Sequence, residues 1–273
     1  MLLGLVQLQE IEVKNCALIE EIIKKGEEKG EVSDKIIIPQ LNFVMLESLP
    51  NLKSFFFGSN ILECPPLKTI IIKDCQKIQM KEFSIHLTSI FTEKVELPTM
   101  GSSSCFQNLT ILVIDGFDQL KYLFPSYTLK NFFKLKELEI SNCMFMERVI
   151  DADEGRTRMM LFPKLYQLKL RDLSKLTTFC NSTVNFVEMP SLFRLCIDNC
   201  PSNQTFIFSS ICVDMTSSSK QPKGMSANEN STQLQSLFDK KIRLPSLEQL
   251  QISYADRLVN YGTMRSLWIP SAN

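Results

Sequence analysis

The feature that most constrains this chain is an apolar pattern of the form L-x-x-L-x-[LIV], which is written eight times along its 273 residues. The copies are "LQEIEV" (8–13), "LNFVML" (41–46), "LKTIII" (67–72), "LTILVI" (109–114), "LKELEI" (135–140), "LYQLKL" (165–170), "LFRLCI" (192–197) and "LEQLQI" (247–252). One such unit buries too little apolar surface to fold alone, so repeated units must stack on one another. The pattern therefore predicts a solenoid.

The spacing of the copies is typical of leucine-rich repeats. Their starts, at residues 8, 41, 67, 109, 135, 165, 192 and 247, are separated either by about one repeat or by a repeat plus an insertion. Each copy alternates as a short strand does, so Leu135, Leu138 and Ile140 should point inward and the residues between them to solvent. We therefore predict an α/β solenoid, a leucine-rich-repeat horseshoe. A parallel β-sheet forms its concave face, and loops or short helical turns form its convex face.

The domain organisation follows from this architecture. A solenoid grows by adding layers instead of enlarging one core, so residues 1–273 are predicted to form a single domain of about eight irregular repeats. Residues 214–235 contain almost nothing to bury and are predicted to be a disordered insertion loop. Residues 76–105 match the pattern weakly, and 81–96 fit either a helical turn or a degenerate repeat.

Odd and even repeats differ at the third residue past the last strand apolar. The odd copies place Cys16, Cys75, Cys143 and Cys200 there. A small apolar thiol can be buried at this point while its S–H donates to a loop carbonyl. The even copies continue with an apolar residue at every third position, in 49–55, 117–123, 173–179 and 255–261. That spacing predicts a 3-10 turn or a short loop on the convex side.

Charge and hydropathy limit the partners. Thirty basic residues balance 30 acidic ones, so no overall field attracts this chain to nucleic acid or to an anionic membrane. No apolar run reaches the ~20 residues that span a bilayer. The apolar N-terminus runs directly into the first repeat and is interpreted as structure and not as a signal peptide.

A cytoplasmic location is predicted from the cysteines and the sequons. Nine cysteines, an odd number, do not suggest a disulfide framework. Four N-x-[ST] sequons, at Asn108, Asn181, Asn203 and Asn230, would suit a glycosylated secreted protein. However, Asn108 immediately precedes the inward-facing Leu109, where a glycan would crowd the sheet.

The sequence carries no motif of an enzyme or of a cofactor site. Neither G-x-x-x-x-G-K-[ST] nor G-x-G-x-x-G is present, and His86 is the only histidine. Cys196 and Cys200 invite a metal interpretation, but the chain has no C-x-x-C. The carboxylates of 151–154 lack the spacing of a calcium loop. We therefore predict no catalytic, cofactor-binding or metal-binding residues.

Partner binding is predicted on the solvent-facing side of the sheet. The residue between the last two strand apolars is Glu12, Met45, Ile71, Val113, Glu139, Lys169, Cys196 and Gln251 in the successive repeats. Repeats two to four are apolar there and repeats five to seven are mainly charged. Exposed apolar patches commonly mark a contact surface. The candidate concave binding surface comprises Phe43, Met45, Ile71, Ile111, Val113, Glu137, Glu139, Lys169, Arg171 and Arg194. The alternative is that residues 81–106 fold over the apolar part and cover it.

Three longer strings carry a family resemblance: "LKELEISNCMFMERVI" (135–150), "LFPKLYQLKLRDLSKLTTFC" (161–180) and "MPSLFRLCIDNCPS" (189–202). They resemble the C-terminal repeats of plant intracellular disease-resistance proteins, the coiled-coil nucleotide-binding leucine-rich-repeat receptors. The resemblance implies a non-catalytic sensor in plant innate immunity, with repeats that also hold the receptor inactive. Its partner would be a pathogen effector, a guarded host protein, or a nucleotide-binding domain in cis or in trans.

The same residues leave other functions open. Because the nucleotide-binding domain and its P-loop are missing from this chain, we expect either a receptor fragment or a stand-alone protein. A repeat-only binding adaptor or decoy, for example a substrate adaptor, would use the same inner surface. An extracellular repeat receptor is less favoured, because "N-x-L-x-G-x-I-P" and paired cap cysteines are lacking.

Overall fold

The computed structural model describes a solenoid built almost entirely of short strands. It describes residues 5–23, 36–56, 62–63, 66–78, 106–151, 158–181, 186–202, 207–208, 242–254 and 267–268. Their strands are β1 (Glu10–Lys14), β2 (Glu21–Ile23), β3 (Ile36–Ile37), β4 (Phe43–Glu47), β5 (Ser54–Phe56), β6 (Leu62–Glu63), β7 (Thr69–Lys73), β8 (Ile111–Asp115), β9 (Phe124–Pro125), β10 (Glu137–Ser141), β11 (Arg148–Asp151), β12 (Arg158–Met160), β13 (Gln167–Arg171), β14 (Thr178–Asn181), β15 (Phe186–Glu188), β16 (Arg194–Asp198), β17 (Ile207–Phe208), β18 (Ile242–Arg243), β19 (Gln249–Ser253) and β20 (Leu267–Trp268). The one helical segment in these ranges is the 3-10 helix Ser126–Phe132.

The main sheet confirms the predicted strand segments. Its order is β1-β4-β7-β8-β10-β13-β16-β19-β20, and all pairs are parallel except the last. Each of the first eight strands begins at the third residue of one of the eight sequence copies and ends one residue after that copy. Equivalent residues lie opposite one another, as Leu138 does between Leu112 and Leu168. The solenoid and its parallel sheet are therefore confirmed.

The core lies directly behind this sheet. Leu135, Leu138 and Ile140 are at most 1% exposed, which confirms the predicted inward alternation. Because the register is kept from strand to strand, each buried side chain packs on its counterpart in the next repeat. The buried rows are thereby removed from water along the whole stack.

The convex side, predicted as loops or short helical turns, carries two further layers of short strands in the described part of the chain. A second layer of strands pairs as β2-β5 and as β9-β11-β14-β17, and a third as β3-β6 and as β12-β15-β18. In the sixth repeat a single turn closes with the Leu176 N–H donating to the Leu173 carbonyl at 3.2 Å, and strand β14 then follows. The Thr177 N–H donates to the Glu147 carbonyl of the preceding repeat at 2.9 Å. Neighbouring repeats therefore satisfy the backbone groups that a helix would have paired internally.

Several predictions concern residues that the structure does not describe. These are the insertion loop at 214–235, the ambiguous segment 81–96, the covering segment up to residue 105, the even-repeat segment 255–261, and His86. Of residues 76–105, only 76–78 are described, in the turn that follows β7.

A left-handed residue ends each of the first eight main-sheet strands. These residues are Asn15, Ser48, Asp74, Gly116, Asn142, Asp172, Asn199 and Tyr254, with φ between 50° and 76°. The N–H groups of the first seven donate to the last strand carbonyl of the next repeat, as from Asn142 to Arg171 at 3.1 Å and from Asp172 to Asp198 at 3.0 Å. Asn, Asp and Gly tolerate this conformation best. The position therefore ends the strand and ties it to its neighbour at once.

Aromatic rings fill the interior between the fourth and sixth repeats. Phe106 stacks on Phe132 with ring centroids 5.5 Å apart, and Phe132 meets the edge of Phe124 at 4.9 Å. Phe124 in turn meets Phe162 at 5.2 Å. Phe162 is 1% exposed and has φ of 43°, which is rare for a bulky residue. The ring contacts hold this strained turn in place.

Replacing Leu138 by Asp should unfold the solenoid, because it places a carboxylate at a position that is 1% exposed. We expect a loss of at least ~3–5 kcal/mol in the free energy of unfolding. Urea denaturation followed by circular dichroism measures this loss. Glu137→Ala, on the solvent face of the same strand, is the control and should change stability by less than ~0.5 kcal/mol. A folded Leu138→Asp protein of normal stability would contradict the strand register.

Gly116→Ala should destabilise the fold, because Gly116 has φ of 76° and an added Cβ would lie 2.8 Å from Asp74 Oδ1. We expect a cost of ~1–2 kcal/mol. Asn142→Gly, at the equivalent position one repeat later, lacks both penalties and serves as the comparison in the same thermal denaturation experiment. Equal melting temperatures for Gly116→Ala and the unchanged protein would contradict the left-handed turn.

Candidate partner-binding face

The solvent side of the main sheet presents three rows of side chains, because every second residue of each strand points away from the core. The first row is Glu10, Phe43, Thr69, Ile111, Glu137, Gln167, Arg194 and Gln249. The second row is Glu12, Met45, Ile71, Val113, Glu139, Lys169, Cys196 and Gln251. The third row is Lys14, Glu47, Lys73, Asp115, Ser141, Arg171, Asp198 and Ser253. All ten predicted site residues lie in these rows.

The apolar patch occupies three adjacent strands, β4, β7 and β8. It consists of Phe43, Met45, Ile71, Ile111 and Val113, all of them half-buried. Strands are ~4.8 Å apart, so the patch is ~10 Å wide between the outer strands. Thr69 completes the first row at its centre and was not among the predicted residues. The structure therefore brings the five predicted apolar residues together.

The charged half of the face is held by ion pairs within the chain. Glu139 Oε2 lies 3.0 Å from Lys169 Nζ, and its Oε1 lies 3.4 Å from Arg171 Nη1. The Lys169 and Glu139 side chains are only about a quarter exposed, which reduces solvent screening of their attraction. This cluster fixes the polarity of the face where the apolar patch ends.

Arg194 is held by two glutamines that the sequence reasoning missed. Its Nε donates to Gln249 Oε1 at 2.6 Å and its Nη1 donates to Gln167 Oε1 at 3.0 Å. Gln167 and Gln249 occupy the first row on either side of Arg194. The prediction from sequence followed mainly the second-row residue of each repeat. Following the first-row residue of every repeat as well would have identified both glutamines.

Cys196 lies in the second row and yet is only 3% exposed. Burial raises the pKa of its thiol, while the neighbouring Arg171 and Lys169 lower it by a smaller amount. The thiol therefore stays protonated at neutral pH. It fills the space beside the charged cluster and does not present a reactive group on the face.

The third row carries side chains of alternating charge. Lys14 Nζ lies 4.0 Å from Glu47 Oε2 and 2.6 Å from Glu12 Oε1. The Ser141 hydroxyl donates to Asp115 Oδ1 at 2.9 Å. From β1 to β8 the row reads Lys14, Glu47, Lys73 and Asp115, so its charges sum to zero.

The four turn cysteines confirm the predicted thiol position. Each S–H donates to the carbonyl two residues earlier, at 3.2 Å for Cys16, Cys75 and Cys143 and at 3.4 Å for Cys200. Cys75, Cys143 and Cys200 are fully buried, and Cys16 is half-buried. Burial raises the pKa of Cys143 and of Cys200 to about 12. These thiols are therefore structural groups of the turn.

The candidate metal ligands are not brought together in the described part of the chain. There, no group of three or more His, Cys, Asp or Glu side chains could hold a metal ion. Asp151 lies 3.0 Å from Arg148 Nε in an ion pair, while residues 152–157 are outside the described ranges.

Among the helices described here, none is long and apolar enough to cross a membrane.

A family model identifies the repeats. The model of the plant disease resistance protein RPS2-like leucine-rich repeats matches residues 1–88 and 80–220. This chain belongs to that family. No curated protein and no solved structure matches it. The RPS2-like repeat module is therefore a leucine-rich-repeat solenoid of the plant disease resistance class. The family match confirms the predicted resemblance of its repeats to those of plant disease resistance proteins.

The stability of the RPS2-like module should decline at alkaline pH. The folded pKa of Cys143 and of Cys200, about 12, lies above the ordinary value of 9.0, so the unfolded chain releases these protons first. The stabilising contribution is complete below pH 9 and is lost as pH rises toward 12. Cys143→Ala should make the free energy of unfolding fall less steeply above pH 9.0, by up to ~1.4 kcal/mol per pH unit.

Denaturant titrations at pH 8, 9, 10 and 11 measure that slope. Leu173→Val, which alters packing at the equivalent position of the sixth repeat without removing a thiol, is the control. An unchanged slope in Cys143→Ala would contradict the assignment of alkaline destabilisation to this thiol.

Proposed function

We propose that this chain is a non-catalytic protein-recognition module of plant innate immunity. In this proposal it is the sensor and autoinhibitory repeat region of an intracellular nucleotide-binding leucine-rich-repeat receptor with a coiled coil. Its partner is a protein: a pathogen effector, a guarded host protein, or a nucleotide-binding domain in cis or in trans. Membership of the RPS2-like repeat family supports the immune role.

The apolar patch is the observation that carries the proposal. A soluble sheet face normally presents polar side chains, yet three adjacent strands here place Met45, Ile71 and Val113 side by side in one row. When a partner removes the remaining surface of these half-buried apolar side chains from water, the burial stabilises the complex. The neighbouring ion-paired cluster around Glu139 gives such a contact a polar rim.

The chemistry of the cysteines and of one sequon supports a cytoplasmic location. Cys16, Cys75, Cys143, Cys180, Cys196 and Cys200 are all free thiols. Free buried thiols are the common state of cysteine in reducing compartments. The Thr110 hydroxyl of the Asn108 sequon donates to the Lys68 carbonyl at 3.0 Å, and the Asn108 side chain accepts from Lys134. A glycan on Asn108 would disturb these contacts between repeats.

The experiment that tests this proposal is co-purification from plant cytosol, with and without a separately expressed nucleotide-binding domain. The double substitution Met45→Lys and Val113→Lys should abolish association of the partner while leaving the circular dichroism spectrum unchanged. Both side chains lie on the solvent face, where lysine can reach water, so the fold should tolerate them.

Gln251→Lys is the matched control. It introduces the same cation into the same row, four strands beyond β8, at an exposed position. We expect its association to equal that of the unchanged chain. Association that survives the double substitution would discard the apolar patch as the contact. Association with a different host protein and not with the nucleotide-binding domain would favour an adaptor or decoy.

A further inference from the structure

The apolar patch is bordered by glutamates on both sides, in both rows that it occupies. The first row begins at Glu10, crosses Phe43, Thr69 and Ile111, and reaches Glu137. The second row begins at Glu12, crosses Met45, Ile71 and Val113, and reaches Glu139. Strands β1 and β10 therefore place a carboxylate at each of the four corners.

The four carboxylates differ in whether the chain neutralises them. Glu12 is paired with Lys14, and Glu139 is paired with Lys169 and Arg171. Glu10 and Glu137 are exposed and form no ion pair in the part of the chain that the structure describes. Among the described residues, these two carboxylates therefore have no ion-pair partner, and they lie on opposite sides of the apolar patch in the first row.

The distances across the patch define the shape of an occupant. Glu10 and Glu137 are separated by four strand steps, which is ~19 Å. The two apolar rows lie two residues apart along the strands, which is ~6.6 Å. A single extended chain would contact one row, whereas an α-helix ~10–12 Å in diameter covers both.

We propose that the occupant of the apolar patch is an amphipathic helix of a protein partner, lying across the strands, with an apolar stripe at its centre and a Lys or Arg toward each end. At a rise of 1.5 Å per residue and 3.6 residues per turn, two cations on the same face at about this separation are ~14 residues apart, which is ~21 Å. This proposal rests on the proposed function, because it specifies the partner of the same surface. The cations meet Glu10 and Glu137, while the apolar stripe packs on the two rows between them.

The charges set orientation and selectivity, and the apolar rows supply most of the affinity. Charges at the rim of an interface contribute modestly, mainly through the association rate and its salt dependence. Buried apolar area contributes ~25 cal/mol per Å² before the costs of association. A helix with acidic ends would meet like charges at both borders and would therefore be rejected.

The test uses synthetic helical peptides of about 17 residues, built on an alanine background. The probe carries three leucines on one stripe and a lysine on the same face near each end, ~14 residues apart, which is close to four turns. The comparison peptide has glutamate in place of both lysines. Binding to the whole chain is followed by fluorescence anisotropy at low and at high salt. We expect the lysine peptide to bind at least ~10-fold more tightly at low salt, with the difference shrinking as salt is added.

A charge swap makes the test specific. The double substitution Glu10→Lys and Glu137→Lys should weaken the lysine peptide and strengthen the glutamate peptide, reversing the preference. Glu248→Lys makes one such Glu-to-Lys change at an exposed residue beside β19, far from the patch, and should leave the preference unchanged. Equal affinity of the two peptides, no reversal by the swap, or no binding of either peptide overturns the proposal of a helix with basic ends.

Failure of this proposal can be told from failure of the proposed function. Val113→Lys should abolish both peptide binding and co-purification of the protein partner, because it disrupts the apolar rows themselves. If Val113→Lys abolishes co-purification while the Glu10 and Glu137 swap leaves peptide preference unaltered, only the basic-ended helix is wrong. If co-purification survives Val113→Lys, the patch is not the partner site.

Discussion

Each repeat of this chain depends on its neighbours for its backbone hydrogen bonds. The first eight strands of the main sheet pair in parallel with residues of equal position opposite one another, and the strands of the second and third layers also pair in parallel. No repeat can satisfy its own N–H and C=O groups, so each is stable only when stacked. This constraint fixes the register, and the register in turn decides which side chains share a row on the solvent face.

The left-handed residue after each strand shows how register and sequence are connected. Asn142 and Asp172 combine three roles there: they end the strand, donate a backbone hydrogen bond to the next repeat, and join a side-chain hydrogen-bond network. Asn142 Nδ2 donates to Asp115 at 2.7 Å, and Asn199 Nδ2 donates to Asp172 at 2.7 Å. The buried thiol that follows in odd repeats donates within the same turn. A short polar residue followed by cysteine thus ends the strand and provides hydrogen bonds both within the turn and to the neighbouring repeat.

The sequence was sufficient to predict the eight parallel strands of the main sheet but not β20 or the other layers. Leucines at fixed spacing identify strands that are buried on one side, because alternation is visible within each copy, as at Leu138 and Ile140. Strands such as β11 and β14 are four residues long and derive their stability from pairing with each other, which no local pattern records. The prediction of loops or short helical turns on the convex side therefore did not include these paired strands. The ten predicted surface residues followed from the alternation, whereas the hydrogen bonds of Arg194 to two glutamines depend on side chains in adjacent strands and needed the structure.

A solenoid of this kind separates folding from recognition within a single strand. In β8, Leu112 and Ile114 are buried, while Ile111 and Val113 on the opposite side contribute only part of their surface to the fold. Substitutions on the solvent side can consequently change the partner without changing the register. The same arrangement makes an apolar residue on that side costly in the free protein, because it leaves hydrocarbon in contact with water. Three consecutive strands carry this cost and have carboxylates at both borders, and these two features together are the basis for the proposed partner with an apolar centre and basic ends.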